Sequence, residues 1–332
     1  MRLGRTLSIS SCVTALCCSL LVMTVNAPKV KRKELNSHPK LSFSVISDIH
    51  LRTGKSDWGT NYHDAIAARK LKNALTDLDN INPHEDALVI NGDFTTTGVQ
   101  SDYDTLKDIL NTAPHPKNIL YAMGNHEFSS AFHNRKGVFS PQTFPNGVTV
   151  HSCIELFKKN TGMSNSYYDR WLNGYHFIVL GAEYSMSDFR KHNDTVLSET
   201  QLQWLAKKLQ KSPNNKPTFV FLHEPIPNTV AGSFGGYLIN GDKLRKILNQ
   251  YPSVLFFSGH THYSLMDQPS SIYHDYFTMF NTSAVRNPII ESHKLLGNSE
   301  GLYVQVYDHS VTVSARDFTI KSWIWEYTVR TE

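Results

Sequence analysis

A chain of 332 residues, 40% of them hydrophobic, has the composition of an ordinary globular protein, with room for a sizeable core in one large domain or two small ones. Its formal charge of +4 comes partly from Arg2, Arg5, Lys29, Lys31, Arg32 and Lys33 near the start. The rest is close to neutral, so charge gives no argument for a nucleic-acid partner. Cys12, Cys17 and Cys18 lie in the leader and leave Cys153 alone in the body, which excludes an intrachain disulfide there.

In chain order, residues 6–27 carry no charge and follow Arg2 and Arg5, which reads as a signal peptide or signal anchor over 1–27. Val25-Asn26-Ala27 offers small residues for cleavage, but Pro28 would follow the cut, so an uncleaved anchor stays open. Basic residues after the apolar run outnumber those before it, and an anchor would then favour a cytoplasmic body. The reading preferred is export, to the cell envelope or beyond, with a membrane-anchored form as the alternative and any membrane contact made through this segment alone. A polar basic linker spans 28–40, and one domain is expected over 41–332.

From Leu41 onward, short apolar runs alternate with helix-like stretches, the pattern of a sheet covered by helices. The runs are Phe43–Ser47, Ala87–Asn91, Ile119–Met123, Phe177–Leu180, Thr218–Leu222 and Val254–Phe257. Helical spacing is carried by Leu71, Ala74, Leu75 and Leu78, by Leu202, Leu205 and Leu209, and by Leu244, Ile247, Leu248 and Tyr251. Ser198 and Gln201 form a candidate capping box. The polar, irregular stretch from Phe128 to Ser166 reads as a loop or cap over the site. Leu302–Tyr307 and Val311–Ala315 look like a hairpin in a second sheet packed on the first.

Five of these runs end in residues that bind metals: Asp48-Ile49-His50, Gly92-Asp93, Gly124-Asn125-His126-Glu127, His223, and Gly259-His260-Thr261-His262. Each piece alone is ordinary, since Gly-Asp is a common turn and a lone histidine is usually a packing residue. Five in order, each at a strand end, point to one site, because loops at the carboxyl ends of parallel strands gather on one edge. Imidazole, carboxylate and amide donors without thiolate suit Mn, Fe or Zn, as divalent or trivalent ions. Seven ligands, Asp48, His50, Asp93, Asn125, His223, His260 and His262, are too many for one ion that keeps an open position. They suit two ions sharing a bridging carboxylate.

These blocks resemble the calcineurin-like metallophosphoesterase family, whose pattern runs Asp-x-His, Gly-Asp, Gly-Asn-His-Asp/Glu, His, then Gly-His-x-His. The resemblance implies an α/β fold, a four-layer α/β/β/α sandwich with two mixed sheets and a dinuclear site at the sheet edge. It implies that Asp48, His50 and His262 hold one metal and Asn125, His223 and His260 the other, with Asp93 bridging. It further implies hydrolysis of a phosphate ester by attack of a metal-bound hydroxide, with His126 as catalytic residue, protonating the leaving oxygen or steadying the phosphoryl charge.

Within the family, Gly92-Asp93 continues as Phe94-Thr95-Thr96-Thr97 where protein phosphatases carry a further Asp-Arg-Gly block, and Thr96 stands where purple acid phosphatases need a tyrosine. Only 70 residues follow His262, too few for the extra domain of 5′-nucleotidases. The compact branch resembling cyclic-nucleotide and glycerophosphodiester phosphodiesterases fits, although many of its members have His-His-Pro where this chain has His223-Glu224-Pro225. The expected substrate is a small-molecule phosphate ester, a phosphodiester in the first reading and a monoester or nucleotide in the alternative. A nuclease and a non-catalytic scaffold are weaker readings. Trp58, Tyr62 and His63 could line the pocket, and His133, Arg135 and Lys136 could meet a phosphate, but packing and solvated loop are the ordinary roles for both groups. Asn193-Asp194-Thr195 and Asn281-Thr282-Ser283 are glycosylation sequons, meaningful only in a eukaryotic secretory pathway.

Overall fold

The structure, a computed structural model, describes residues 38–331 apart from 56–60, 185–193, 214 and 236. The leader and most of the basic linker lie outside the described residues, as do Trp58 and Asn193. Among the described residues no helix is long and apolar enough to cross a membrane.

Two six-stranded mixed sheets form the centre. The first holds β1 (Leu41–Ile46), β2 (Ala87–Asn91) and β3 (Ile119–Ala122) in parallel. The second holds β4 (Tyr168–Leu172), β5 (Tyr175–Val179), β6 (Thr218–Phe221), β7 (Val254–Ser258), β8 (Ile272–His274) and β9 (Thr278–Asn281). There β5, β6, β7 and β9 run parallel, and β4 and β8 close the edges antiparallel. The six apolar runs all become strands.

The C-terminal hairpin is placed differently from the expectation. Strands β10 (Glu300–Val306), β11 (Ser310–Asp317) and β12 (Ser322–Arg330) extend the first sheet, in the order β12-β11-β10-β1-β2-β3, and do not build the second. The cause lies in β1, every residue of which is buried. A strand covered on both faces needs a hydrogen-bonding neighbour at each edge, and β10 supplies the second, antiparallel to β1, from Leu41↔Val306 to Val45↔Leu302.

Alternation along the strands divides the core into three seams. Phe43, Val45, Val89, Phe177, Phe219, Phe221, Phe257 and Phe280 pack between the sheets. Phe43 sits at the centre, edge-on to Phe177 and Phe219 with ring centroids 5.0 and 4.8 Å away. Leu88 and Ile90, on the opposite face of β2, pack under α1 (Ala65–Ile81), α2 (Gln100–Leu110) and α3 (Val150–Thr161). Val220 and Phe256 pack under α4 (Glu199–Leu209) and α5 (Gly241–Leu248). The result is the expected α/β/β/α sandwich.

Helix α1 starts where the Asp64 carboxylate accepts hydrogen bonds from the amides of Ile66 and Ala67, a cap worth about 1 kcal/mol. At α4, Ser198 caps Gln201 as expected, but the Gln201 side chain turns away to bond both backbone groups of Gly181. Only half of the capping box forms. The stretch from Phe128 to Ser166 is no loose cap either: Phe128, Cys153 and Phe157 are buried in the seam beneath α1 and α2. Thr149 and Gly162 delimit α3, the first as a capping box with Ser152 and the second in a left-handed turn.

Candidate metal centre

All seven expected ligands meet at the carboxyl edge of the parallel strands, and they come from both sheets. Asp48 and His50 follow β1, Asp93 follows β2, and Asn125 follows β3. His223 follows β6, while His260 and His262 follow β7. Three clusters of ligand atoms result: Asp48, His50 and His262; Asp93, His223 and His260; and His50, Asp93 and His126. Asn125 joins the second through its Oδ1, 3.0 Å from Nδ1 of His260. Asp93 is common to two clusters.

Each carboxylate commits one oxygen to the protein and leaves the other facing the histidines. Asp48 Oδ2 accepts from the His260 amide at 3.0 Å and from Ser47 Oγ at 2.5 Å. Its Oδ1 lies 3.0 Å from His262 Nε2 and 3.8 Å from His223 Nε2. Asp93 Oδ1 accepts from the His126 amide at 2.9 Å. Its Oδ2 lies 3.1 Å from His223 Nε2 and 4.0 Å from both His50 and His126 Nε2.

The ring orientations show what this arrangement lacks. His223 Nδ1 donates to the Asn91 carbonyl at 2.8 Å and His262 Nδ1 to the Asn287 carbonyl at 3.1 Å. A carbonyl only accepts, so each neutral ring turns a lone pair inward through Nε2. His223 Nε2 therefore presents a lone pair to a carboxylate oxygen, and neither it nor Asp48 Oδ1, both buried, has a partner in hydrogen-bonding geometry among the described residues. His50 and His262 likewise bring their Nε2 atoms to 3.0 Å. Electron-rich atoms converging without protons fit cations between them, and nitrogen and oxygen donors suit borderline first-row ions.

The two carboxylates give the centre a field that draws positive charge, a proton on His223 where no cation is bound. Burial opposes a charge on His223, yet the Asp93 and Asp48 carboxylates overcome it and raise its pKa well above the usual histidine value. Burial, with His223 beside it, pushes His260 down to about 3. Burial outweighs the neighbouring Asp48 and pushes His50 down to about 4, with His126 and His262 adding to the effect. Burial also works against charge on Asp48, but His262 and His223 hold its carboxyl well below the usual range.

Five ligands, Asp48, His50, Asp93, His260 and His262, have positive φ of 54°, 52°, 50°, 68° and 57°. Left-handed backbone costs an L-residue roughly 1–2 kcal/mol. Hydrogen bonds between loops hold it: His50 N–H to the Asp93 carbonyl at 2.9 Å, Arg286 N–H to the Asp48 carbonyl at 3.0 Å, and Ile289 N–H to the His262 carbonyl at 2.8 Å.

Several supporting residues escaped the sequence reading. Glu127, fully buried, accepts four hydrogen bonds, from the amides of Asp93, Thr95 and Gly124 and from Thr95 Oγ1, at 2.8–3.0 Å. It ties the loop after β2 to the loop after β3. Asn91 donates to the Leu222 and Phe257 carbonyls, 3.2 Å each, and so clamps the first sheet to the second beside His223. The signal available was a polar residue ending an otherwise apolar strand. Thr96 holds two functional loops, its Oγ1 donating to the His50 carbonyl and its carbonyl accepting from His126 Nδ1, both at 2.8 Å.

Other candidates fall outside the site. Glu224 is fully buried and accepts from Thr195 Oγ1 at 2.7 Å, and burial pushes its carboxyl up to about 7. It fastens the segment at Thr195, and its side chain is closed to solvent. Arg135 and Lys136 stand exposed on the turn after Asn134. Asn281, head of one sequon, is fully buried with its amide on the Tyr263 carbonyl, which closes it to glycosylation in the folded protein.

The family model of calcineurin-like phosphoesterases matches residues 41–264. The chain belongs to this family. Among curated proteins it is 24% identical over 245 residues to a 3′,5′-cyclic-nucleotide phosphodiesterase of Nostoc sp., covering 72% of this chain and 78% of that one. It is 24% identical over 225 residues to a glycerophosphodiester phosphodiesterase of Enterobacter lignolyticus, covering 67% and 71%. Among solved structures, a dimetal phosphatase from Danio rerio superposes with a TM-score of 0.60 at 15% identity, covering 89% of this chain and 100% of that one. A purple acid phosphatase from yellow lupin gives 0.55 at 11% identity, covering 88% and 55%. These structures share the fold. The calcineurin-like phosphoesterase described here is a metal-dependent phosphoric ester hydrolase.

Proposed function

We propose that this phosphoesterase cleaves a phosphodiester at a pair of Mn, Fe or Zn ions. Asp48, His50 and His262 would hold one ion and Asn125, His223 and His260 the other, with Asp93 between them. The observation that supports two ions is the placing of Asp93 Oδ2, 3.1 Å from His223 Nε2 in one set and 4.0 Å from His50 Nε2 in the other. Such ions supply Lewis acidity, lowering the pKa of water and neutralising phosphoryl charge. The protein supplies position: Glu127, Asn91 and the cross-loop amides fix the ligands before substrate arrives.

His126 carries the remaining role. Its side chain is about a third exposed, its Nδ1 is fixed on the Thr96 carbonyl, and its Nε2 faces the shared oxygen of Asp93. Protonated at Nε2, it can give a proton to a leaving alkoxide. The diester preference rests on the curated relatives, which are named for cyclic-nucleotide and glycerophosphodiester substrates. The test is a screen of mono- and diesters with metal-free protein supplied with Mn, Zn or Fe. Diester turnover that depends on metal, binds two equivalents and is lost in Asp93→Asn supports the reading. Turnover of monoesters alone would replace it with a phosphomonoesterase. The uncharged run 6–27 supports work outside the cytoplasm, which fractionation of the full chain tests.

A further inference from the structure

Beside the metal centre opens a cleft of about 450 Å³, in the size range of small-molecule sites. Its floor includes His260 and His262, and its walls carry Phe234, Tyr237, Tyr263 and Leu295. Among the described residues, no Asp, Glu, Lys or Arg lines it. Tyr237 meets the His260 ring edge-on, with centroids 4.3 Å apart, so the aromatic wall begins at the ligand itself. Gly232, also in the lining, lies so close to Tyr263 that a Cβ there would come within 2.6 Å of the ring. Phe234 and Leu295 are 75% and 60% exposed, large apolar side chains that bury little of themselves in the core.

His126 is absent from this lining and stands instead against His50, ring centroids 4.6 Å apart. A leaving oxygen within reach of His126 therefore meets a residue that the cleft does not include. A group seated in the cleft stays on phosphorus. Only a diester has both groups.

We propose that the Phe234, Tyr237, Tyr263 and Leu295 cleft selects the retained ester arm of the substrate, and that this arm is uncharged and bears an aromatic ring. The inference rests on the phosphodiesterase reading above and deepens it. Rings stack edge and face on other rings, and apart from histidines the lining offers a charged arm no counter-charge in return for its lost hydration. A glycerol-sized arm leaves most of the cleft to water.

The experiment holds the leaving group constant and varies the retained arm, comparing phenyl p-nitrophenyl phosphate with methyl p-nitrophenyl phosphate on the metal-loaded enzyme. Burying a ring predicts a kcat/KM advantage for the phenyl arm of about tenfold or more. In the double variant Phe234→Ala/Leu295→Ala that ratio should fall at least about threefold, by loss on the phenyl substrate. A second readout needs no turnover: calorimetric binding of phenylphosphonate should exceed that of methylphosphonate, and the gap should shrink in the same variant. Hydrolysis of both diesters at equal efficiency, or a ratio unmoved by the double variant, overturns the inference while leaving the phosphodiesterase reading intact. Hydrolysis of neither overturns that reading, and equal binding of the two phosphonates then overturns the cleft assignment as well.

Discussion

Gly124 packs so closely on Asp93 that a Cβ at position 124 would stand 2.3 Å from the Asp93 Oδ1, and 2.7 Å from the His223 ring. Backbone from the loop after β3 thus abuts two side chains from two other loops. Gly124→Ala should push Asp93 aside, and displacement of about 1 Å at a reacting centre costs on the order of 10²-fold in rate. Metal content and kcat/KM of the purified variant check this. Two tightly bound equivalents with wild-type activity would show that the contact yields.

Glu127→Gln should act on the same loops through hydrogen bonding. The amide keeps one acceptor oxygen where four donors converge, and its NH₂ faces amides that also donate. Leaving buried donors unpaired costs ~1–3 kcal/mol each, and loss of such ligand support costs ~10–100-fold in metal affinity. Urea unfolding of the metal-free variant measures the first loss and competition with a chelator the second. A change in neither would make Glu127 a bystander.

His126→Ala separates proton transfer from metal binding. Proton transfer is worth ~10²–10⁴-fold for an alkoxide that leaves poorly, and much less for a nitrophenolate. The variant should therefore slow alkyl esters far more than nitrophenyl esters, whereas His223→Ala should lose metal and slow both alike. Equal losses on both substrates would assign His126 to stabilising the phosphoryl charge instead.

Chelation should lower the melting temperature of the wild-type protein. Ligands drawn from two sheets make bound ions a tie between them, and ions at 100-fold over Kd stabilise by about 2.7 kcal/mol. The shift should scale with free metal and shrink in Asp93→Asn. Calorimetric scans with and without chelator measure it, and identical traces would refute the tie.

Far from the site, Glu85 gives the fold a pH dependence. Burial pushes its carboxyl from 4.5 up to about 8, against a hydrogen bond from Ser44 Oγ and with a smaller contribution from the charge of Asp86. Below pH 4.5 both states hold the proton and the residue is neutral in effect. Between there and 8 only the unfolded chain has released it, so each pH unit costs the fold about 1.4 kcal/mol. Glu85→Gln removes the titration. Its melting temperature should gain on wild type as pH rises from 5 to 9, and parallel curves would disprove the assignment.

The site was legible because metal ligands are polar punctuation after apolar strands, and the order of the punctuation survives in one dimension. What supports the site was not. Glu127 looked like part of a motif without a task of its own, and its four donors come from three loop positions that only the fold assembles. Phe128, Cys153 and Phe157 were hidden in a polar stretch because they are core residues separated by turns, with no period to mark them. The cleft wall escaped for a similar reason: Phe234, Tyr263 and Leu295 are single apolar residues in separate loops. The hairpin was visible as a hairpin, but nothing local says which edge a strand will join.

That edge decides when the enzyme can exist. The family match ends at residue 264, two positions beyond the last ligand, yet β1 has β10 as its second neighbour. The amides of Val285 and Arg286, which hold the Ser47 and Asp48 carbonyls, also come later than residue 264. A nascent chain emerging from the ribosome therefore carries every ligand well before it can hold them in place. Its first body strand stays an open edge, exposed to pairing with other chains, until Glu300–Val306 has been made. Residues 265–306 thus complete the catalytic unit without contributing a ligand to it.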